Sequence, residues 1–226
     1  MATRSDPAAP TPHTQVRRLP ELGVYDRETI DAILDEALVC HLGFVHDGRP
    51  FVIPTLHARI GDDVYVHGSA ASRTLRAIAG DPAPVCLTVT LIDGLVLARS
   101  VFEHSVNYRS VVVLGDATQI EDRDEKLRAL EAFTRQLIPG RWEDARQPNE
   151  KELKATSVLK LPLDECSAKV NDGPPDDGES EDAQLDVWAG NVPFRIAARP
   201  PVPDPLLKQG LAVPRYATDY TRPGWD

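Results

Sequence analysis

The stretch VYVHGSAASRTLRAI, Val64 to Ile78, sets a hydroxyl beside a guanidinium after a short alternating strand and a run of small residues. Ser72 and Arg73 fall where a helix would begin, and the first turn of a helix carries unpaired N–H groups and the positive end of its dipole. Such a terminus is suited to an anion, above all a phosphate. His67 ends the preceding strand, and Gly68, Ser69, Ala70 and Ala71 are small enough to let an anion approach the backbone. A plainer role fits the same residues: Ser72 caps the helix and Arg73 is a solvated charge.

Five of the six histidines, His41, His46, His57, His67 and His104, lie in or beside predicted strands. Alternate strand residues share a face, so His57 and Thr55 are placed to point into one cavity. No pair has metal-ligand spacing, and a lone strand histidine is ordinarily packed and hydrogen-bonded, so no metal site is expected. His57 and His67 are the histidines expected to touch a bound cofactor or substrate. Glu103, His104 and Ser105 do not form a hydrolytic triad, because adjacent strand residues point to opposite faces. Cys40, Cys86 and Cys166 are odd in number and widely separated, which gives neither a disulfide framework nor a zinc signature. They read as small core residues of a protein in a reducing cytoplasm.

These residues need a scaffold. Asp26 is placed to cap a helix with Ile30, Ile33, Leu34, Ala37 and Leu38 on one face. VCHLGFV, the turn HDGRP and FVIPTLHARI predict a β-hairpin, since Asp-Gly supplies the positive φ angles of a tight turn. A second turn at GDD leads into the strand before Ser72. After the Ser-Arg helix, APVCLTVTLI, a turn at Asp93-Gly94, LVLARSVFE and YRSVVVLGDATQIE read as three strands. Residues 123–137 have helical spacing, with Leu127, Leu130, Phe133 and Leu137 as a core stripe. SVLKLPLDECSAKV returns to strand. About six strands with two or three peripheral helices fit a closed, mostly antiparallel barrel, and the Asp-Gly connections are too short for parallel crossovers. The expected organisation is a disordered Pro/Ala/Thr-rich tail over 1–15, the barrel over 16–170, a solvated acidic loop over 171–186, and over 187–226 a strand and proline-rich tail packed on the barrel.

The chain has 226 residues, 42% hydrophobic and 27% charged, as in an ordinary soluble protein. Its net charge of -10 argues against a nucleic-acid partner while leaving room for a locally positive pocket. The start, MATRSDPAAPTPHTQ, has no apolar core of a secretion signal, and Val85–Ala98 is too short to span a bilayer. A soluble cytoplasmic protein with no membrane contact is expected.

The stretches GRPFVIPTLHARIGDDVYVHGSAASRTLRAI, APVCLTVTL and NYRSVVVLGDA, in that order, resemble the FMN-binding split barrels of the pyridoxamine 5'-phosphate oxidase-like superfamily. The likeness covers roughly Leu34 to Glu121 and is nearest to the flavin-nucleotide-binding, nitroimidazole-resistance-like branch. It implies a mainly β fold with peripheral helices, a split β-barrel of the FMN-binding type. It also implies that Val52, Ile53, Pro54 and Thr55 flank the isoalloxazine through backbone groups. His67, Gly68, Ser72 and Arg73 would surround the phosphate and ribityl chain, and Ser100, Tyr108, Arg109 and Ser110 would complete the pocket. FMN is the implied cofactor, ahead of FAD, a deazaflavin or haem.

At the C-terminus WAGNVPFRIAAR offers Trp188 and Arg195 but lacks the His-Asp-Arg ending of the true oxidases, so pyridoxamine phosphate oxidation is not implied. The resemblance implies instead a flavin-dependent oxidoreductase acting by hydride transfer at N5 on a small planar electrophile, with Arg49 or Arg109 beside the reduced ring. Its alternatives are a flavin or haem carrier without turnover, and an interaction module without cofactor. No Gly-x-Gly-x-x-Gly fingerprint for NAD(P) is present.

A barrel of about six short strands is filled by its own side chains, so a tricyclic ring must lie outside, along FVIPT. A second copy related by two-fold symmetry would cover it, and the resemblance points the same way. The expectation is a homodimer with the cofactor at the interface and VWAGNVPFR reaching across, anchored by Trp188.

Overall fold

The computed structural model describes residues 10–72, 75, 78 and 83–225. Asp47 and Gly48 both hold positive φ, 49° and 70°, and this tight turn joins β2 (Val39–His46) to β3 (Arg49–Ile60). Gly61, at φ 62°, turns β3 into β4 (Asp63–Ser69). The remaining strands are β1 (Gly23–Val24), β5 (Ala83–Leu97), β6 (Ser105–Gln119), β7 (Thr156–Pro162), β8 (Glu165–Asn171) and β9 (Gly190–Pro193).

Six strands close a ring in the order β2-β3-β4-β7-β6-β5, and every pairing in it is antiparallel. The fifteen-residue β6 pairs with β5 along one edge, while its other edge is divided. Tyr108–Leu114 pairs with β8, and Thr118 and Gln119 pair with β7. β5 divides likewise, between β2 at Val85–Thr88 and β9 at Gly94–Leu97. A closed ring with two divided strands is a split barrel, the expected fold class.

Alternation along the strands turns one set of side chains inward. Leu87, Val89, Val111 and Val113 have no exposed surface, so the interior is packed solid. α1 (Arg27–Glu36) starts as predicted, with the Asp26 carboxylate accepting from the Thr29 N–H, and its Ile30, Ile33 and Leu34 join this core. α2 (Arg123–Leu137) packs outside β3, with Phe133 and Ala129 buried against Ala58, Tyr65 and Val158. Short helices α3 (Arg141–Asp144) and α4 (Glu150–Ala155) lead from it to β7, and α5 (Arg215–Thr218) lies near the C-terminus.

Several expectations need correction. Asp93-Gly94 makes no hairpin: β5 runs through it with a bulge between Ile92 and Gly94. A Cβ on Gly94 would lie 2.7 Å from the Val192 carbonyl oxygen, so the glycine serves the approach of β9. SVLKLPLDECSAKV forms two strands, because the chain leaves β4 after Pro162 and joins β6 at Glu165. With β1 and β9 the strands number nine.

Residues 1–9 of the expected tail lie outside the described residues, whereas the segment after them docks. Thr14 is buried, the Thr11 hydroxyl donates to Glu165, and the Val16 N–H donates to the Tyr25 hydroxyl at 2.9 Å. The acidic loop is not wholly solvated either. Asp177 is buried and accepts from the backbone N–H and the guanidinium of Arg99. At the other end, Arg222 is buried and donates to the carbonyls of Asp35 (2.9 Å) and Glu36 (3.1 Å), which α1 leaves open at its C-terminus.

Candidate functional site

β3 and β4 are consecutive strands of one hairpin, which brings the FVIPT segment beside His67 and Gly68 without help from distant sequence. A pocket of about 160 Å³ lies there. Ile53, Pro54 and Thr55 form one wall, His67, Gly68 and Ser69 another, and Ser72 and Leu75 close it, with Leu42 and Val66 as its floor. Six residues read from sequence as cofactor contacts therefore meet: Ile53, Pro54, Thr55, His67, Gly68 and Ser72.

The backbone donors differ from expectation. The Ala70 N–H donates to the Ala155 carbonyl (2.9 Å), the Ala71 N–H to the Ser69 hydroxyl (3.2 Å) and the Ser72 N–H to the Ser69 carbonyl (2.8 Å). These N–H groups after β4 are thus already engaged, within the turn or with the end of α4, and an anion would meet hydroxyls and the imidazole before them. Leu75 and Ile78 are helical, as predicted, while Arg73 lies outside the described residues. A Cβ on Gly68 would stand 2.7 Å from Leu75 Cδ1, so the Leu75 side chain packs directly over this glycine and would have to shift to admit one.

His67 is half-buried, with its ring centroid 4.3 Å from that of Phe133. Burial pushes its pKa below the usual value, so the imidazole is neutral near pH 7. Its Nδ1 is buried with no hydrogen-bond partner among the described residues. A buried polar atom of this kind calls for a ligand or an ordered water.

The other predicted contacts lie elsewhere. Val52 points from the outer face of the sheet, 67% exposed, opposite Gly43. The Ser100 hydroxyl accepts from the Phe102 N–H and caps the 3-10 turn Val101–Glu103. Tyr108 sits between Ile92 and Asn171 in register, and the Ser110 hydroxyl donates to the Lys169 carbonyl at 3.4 Å. The Arg109 guanidinium is held by Asp93 and Glu36, whose carboxylates raise its pKa further. That engagement removes it as a group free to face a ring. Arg49 is exposed at the Asp47-Gly48 turn. His57 does not share the pocket with Thr55: it is buried, and its Nε2–H donates to the Leu34 carbonyl at 2.9 Å. Trp188 is exposed and touches Gly190, and Arg195 donates to the Trp225 carbonyl.

Sequence reasoning missed Leu42, Val66, Ser69 and Leu75 as pocket walls, although the hairpin register that pairs Leu42 with Ile53 was available. It also missed a second hollow, of about 370 Å³, on the far side of His67 under α2. Among the described residues no group of three or more His, Cys, Asp or Glu is arranged for a metal, and no helix is long and apolar enough to cross a membrane.

The six-strand ring with its divided strands and its pocket on the β3–β4 hairpin defines an antiparallel split barrel. The pyridoxamine 5'-phosphate oxidase profile matches residues 26–170, and the chain belongs to that family. Among solved structures it is similar to the flavocytochrome Anf3 from Azotobacter vinelandii, at 42% identity over 96% of this chain and 100% of that one, with a TM-score of 0.88. It is similar to the FAD and heme binding protein from Mycobacterium smegmatis, at 37% identity over 89% of this chain and 98% of that one, with a TM-score of 0.84. It also resembles a Bacteroides thetaiotaomicron protein described as a 5-nitroimidazole antibiotic resistance protein, at 25% identity over 66% of this chain and 86% of that one, with a TM-score of 0.54. No curated protein matches the chain.

Proposed function

We propose that this chain is a flavoprotein oxidoreductase that holds the FMN portion of its cofactor at the β3–β4 hairpin, at the interface of a homodimer. The observation that carries the reading is the pocket joining Ile53, Pro54 and Thr55 to His67, Gly68 and Ser72, with the unpartnered Nδ1 of His67 in its wall.

The residues fit the group. At about 160 Å³ the pocket is smaller than the roughly 300–1,000 Å³ of sites that enclose a whole ligand. It suits a phosphate and the start of a ribityl chain. The solid barrel interior leaves the outer edge of β3, at Val52 to Pro54, as the place for the ring. Neutral His67 and the Ser72 hydroxyl would hold the phosphate, and the backbone of Val52 to Thr55 would orient the ring. FMN is the smallest cofactor that satisfies all three contacts.

Once bound, the flavin supplies hydride transfer at N5, and the protein binds, orients and shields it. Because the flavin itself carries the chemistry, no side chain need act as an acid or base, which suits a small planar electrophile as substrate. The outer face that would carry the ring exposes Val45 and Val52, with Ile92 further along β5. A second copy covering that face would exclude water from the ring and complete the site.

Two of the similar structures, by their descriptions a flavocytochrome and a FAD and heme binding protein, favour a second reading: a haem held beside the flavin, in a protein that carries electrons. The absorbance spectrum of the purified protein, with released cofactor identified by mass, separates these readings. A flavin band supports the first and an added Soret band the second. Failure to take up any flavin on reconstitution would overturn both. Anaerobic reduction by NADH or NADPH then distinguishes an enzyme from a carrier.

A further inference from the structure

Val101 and Phe102 are 85% and 89% exposed, an apolar pair with almost its whole surface in water. The turn that carries them is firmly held. Buried Asp177 accepts from the backbone N–H groups of Arg99 and Ser100, and from the Arg99 guanidinium at 2.9 Å. The Ser100 hydroxyl accepts from the Phe102 N–H. The Ala98 N–H donates to His104 Nδ1 at 3.2 Å, which ties the two ends of the turn together. A rigid turn that keeps two large apolar side chains in water is preorganised for a contact, because its ordering cost is met in folding.

The turn stands at the tip of the β5–β6 ribbon, whose outer face is continuous with the edge of β3. Val52 pairs with Gly43 and Gly43 with Cys86, so one row crosses from β3 to β5. Further along, Ile92 pairs with Tyr108, and beyond the bulge Leu95 pairs with Val106 and Val192. Cys86, Ile92 and Leu95 have Leu114, Tyr108 and Val106 as their β6 partners, an even spacing that puts all three rows on one face. Ile92, Leu95 and Val192 are exposed. At about 3.3 Å per residue the stretch from Cys86 to Leu97 is about 35 Å long, and Ile92 stands near the middle of the course from Val52 to Phe102.

Two copies can meet over this face in two symmetric ways. A two-fold axis along the ribbon sets tip on tip and brings Glu103 against Glu103. An axis that lies in the face and crosses the ribbon near Ile92 reverses one copy, and sets each tip over Val52 of the other. The turn beside Val52 carries Arg49, and among the described residues neither Arg49 nor Glu103 is in an ion pair. Of the two arrangements the crossed one puts these opposite charges together. In a chain of net charge -10, like-charge contacts at an interface are costly, so the crossed arrangement is favoured.

We propose that the Val101–Glu103 turn of one copy closes the cofactor site of the other, with Phe102 covering the flavin ring over Val52 and Glu103 pairing with Arg49. This rests on the flavin and homodimer reading above, and makes the site incomplete in a single chain. The aromatic side chain excludes water from the ring face that β3 leaves open.

The test uses the full chain loaded with flavin. Phe102→Ala removes a side chain that is exposed in its own chain, so the melting temperature of the flavin-free protein should hold. Flavin affinity should fall about ten-fold, the scale of one lost aromatic contact, and iodide should quench the bound flavin more readily. Phe102→Tyr should restore both. Arg49→Glu and Glu103→Arg should each weaken dimerisation about ten-fold in sedimentation. An equimolar mixture of these two variants should associate like the parent, because their heterodimer opposes unlike charges at both contacts. Single variants that associate like the parent, a mixture that fails to recover, or unchanged affinity and quenching in Phe102→Ala would overturn the inference and leave the flavin-binding homodimer standing. A parent chain that holds flavin tightly as a monomer would overturn the two-copy reading and the inference with it.

Discussion

Arg109 and Glu36 meet end to end: NH1 donates to Oε2 at 2.5 Å and NH2 to Oε1 at 2.9 Å. On its other side the same guanidinium donates to both oxygens of Asp93, at 2.9 and 2.7 Å. One side chain of β6 thus ties the last residue of α1 to the bulge of β5. Arg109→Met would leave two partly buried carboxylates facing each other without a cation. We expect a loss of about 2 kcal/mol in denaturant unfolding, below the value for a fully buried pair because solvent reaches this one. Flavin affinity should stay within two-fold, roughly the scale of an uninvolved site. Lost flavin affinity at unchanged stability would place Arg109 at the cofactor instead.

Gly224 holds φ at 77°, and a Cβ there would lie 2.3 Å from the carboxyl carbon of Glu36. Gly224→Ala is expected to lift the end of the chain from α1, lowering stability by about 1–2 kcal/mol. Limited proteolysis should then trim the C-terminus faster than in the parent protein. Equal trimming rates would mean that Arg222 alone holds it.

Burial lowers the pKa of His57, against the pull of the Leu34 carbonyl and Asp35 and aided by Arg222. Its buried Nδ1 has no hydrogen-bond partner among the described residues to receive a proton's charge. Below about pH 6.5 the unfolded chain binds a proton that the folded one resists, so stability is complete above that pH and declines as pH falls through it. Denaturation curves between pH 8 and 5 should show this slope, and His57→Gln, which keeps a donor for Leu34, should flatten it. His67, lowered in the same direction by burial, contributes with the same sign. An unchanged slope in the variant would assign the acid sensitivity elsewhere.

Ser72 lines the pocket and Arg73 follows it in the chain. A charge-assisted bond to phosphate contributes roughly 1.5–3 kcal/mol, so Arg73→Ala should weaken FMN binding about ten- to a hundred-fold. Riboflavin has no phosphate and should hardly respond. Equal losses for the two ligands would remove Arg73 from the phosphate site.

Val52 is the residue through which the dimer is most simply tested. Light scattering of the flavin-loaded protein should give twice the chain mass, and Val52→Asp should give a monomer that has lost most of its flavin. A parent monomer that keeps tightly bound flavin would disprove the two-copy site.

Local chemistry made part of this molecule legible in its sequence. Asp47-Gly48 and Gly61 need only their own φ angles to turn the chain, and the hairpins they form carry Ile53, Pro54, Thr55, His67 and Gly68 to one place. Asp93-Gly94 has the same composition as the first turn, but β9 from a hundred residues on decides its fate by packing against it. The partners of Arg109 and His57 were not legible for a related reason: Glu36 for one and Leu34 for the other come from a helix that only the closed barrel brings near. The hollow beside Trp142 depends on how α2, α3 and the barrel pack, and no short motif records that packing.

The divided edge of β6 also sets an order of events during synthesis. β4 and β6 are complete once residue 119 has been made, yet the strand that joins them, β7, begins at Thr156. Until then the nascent chain carries two open antiparallel edges, the kind of surface on which strands of other molecules add. The contacts that close the ring are long in sequence, which slows folding. The helices between Arg123 and Ala155 emerge during this interval, so α2 can settle over β3 before the last strand arrives. A ribosome that stalls in this stretch would release the most aggregation-prone form of the protein.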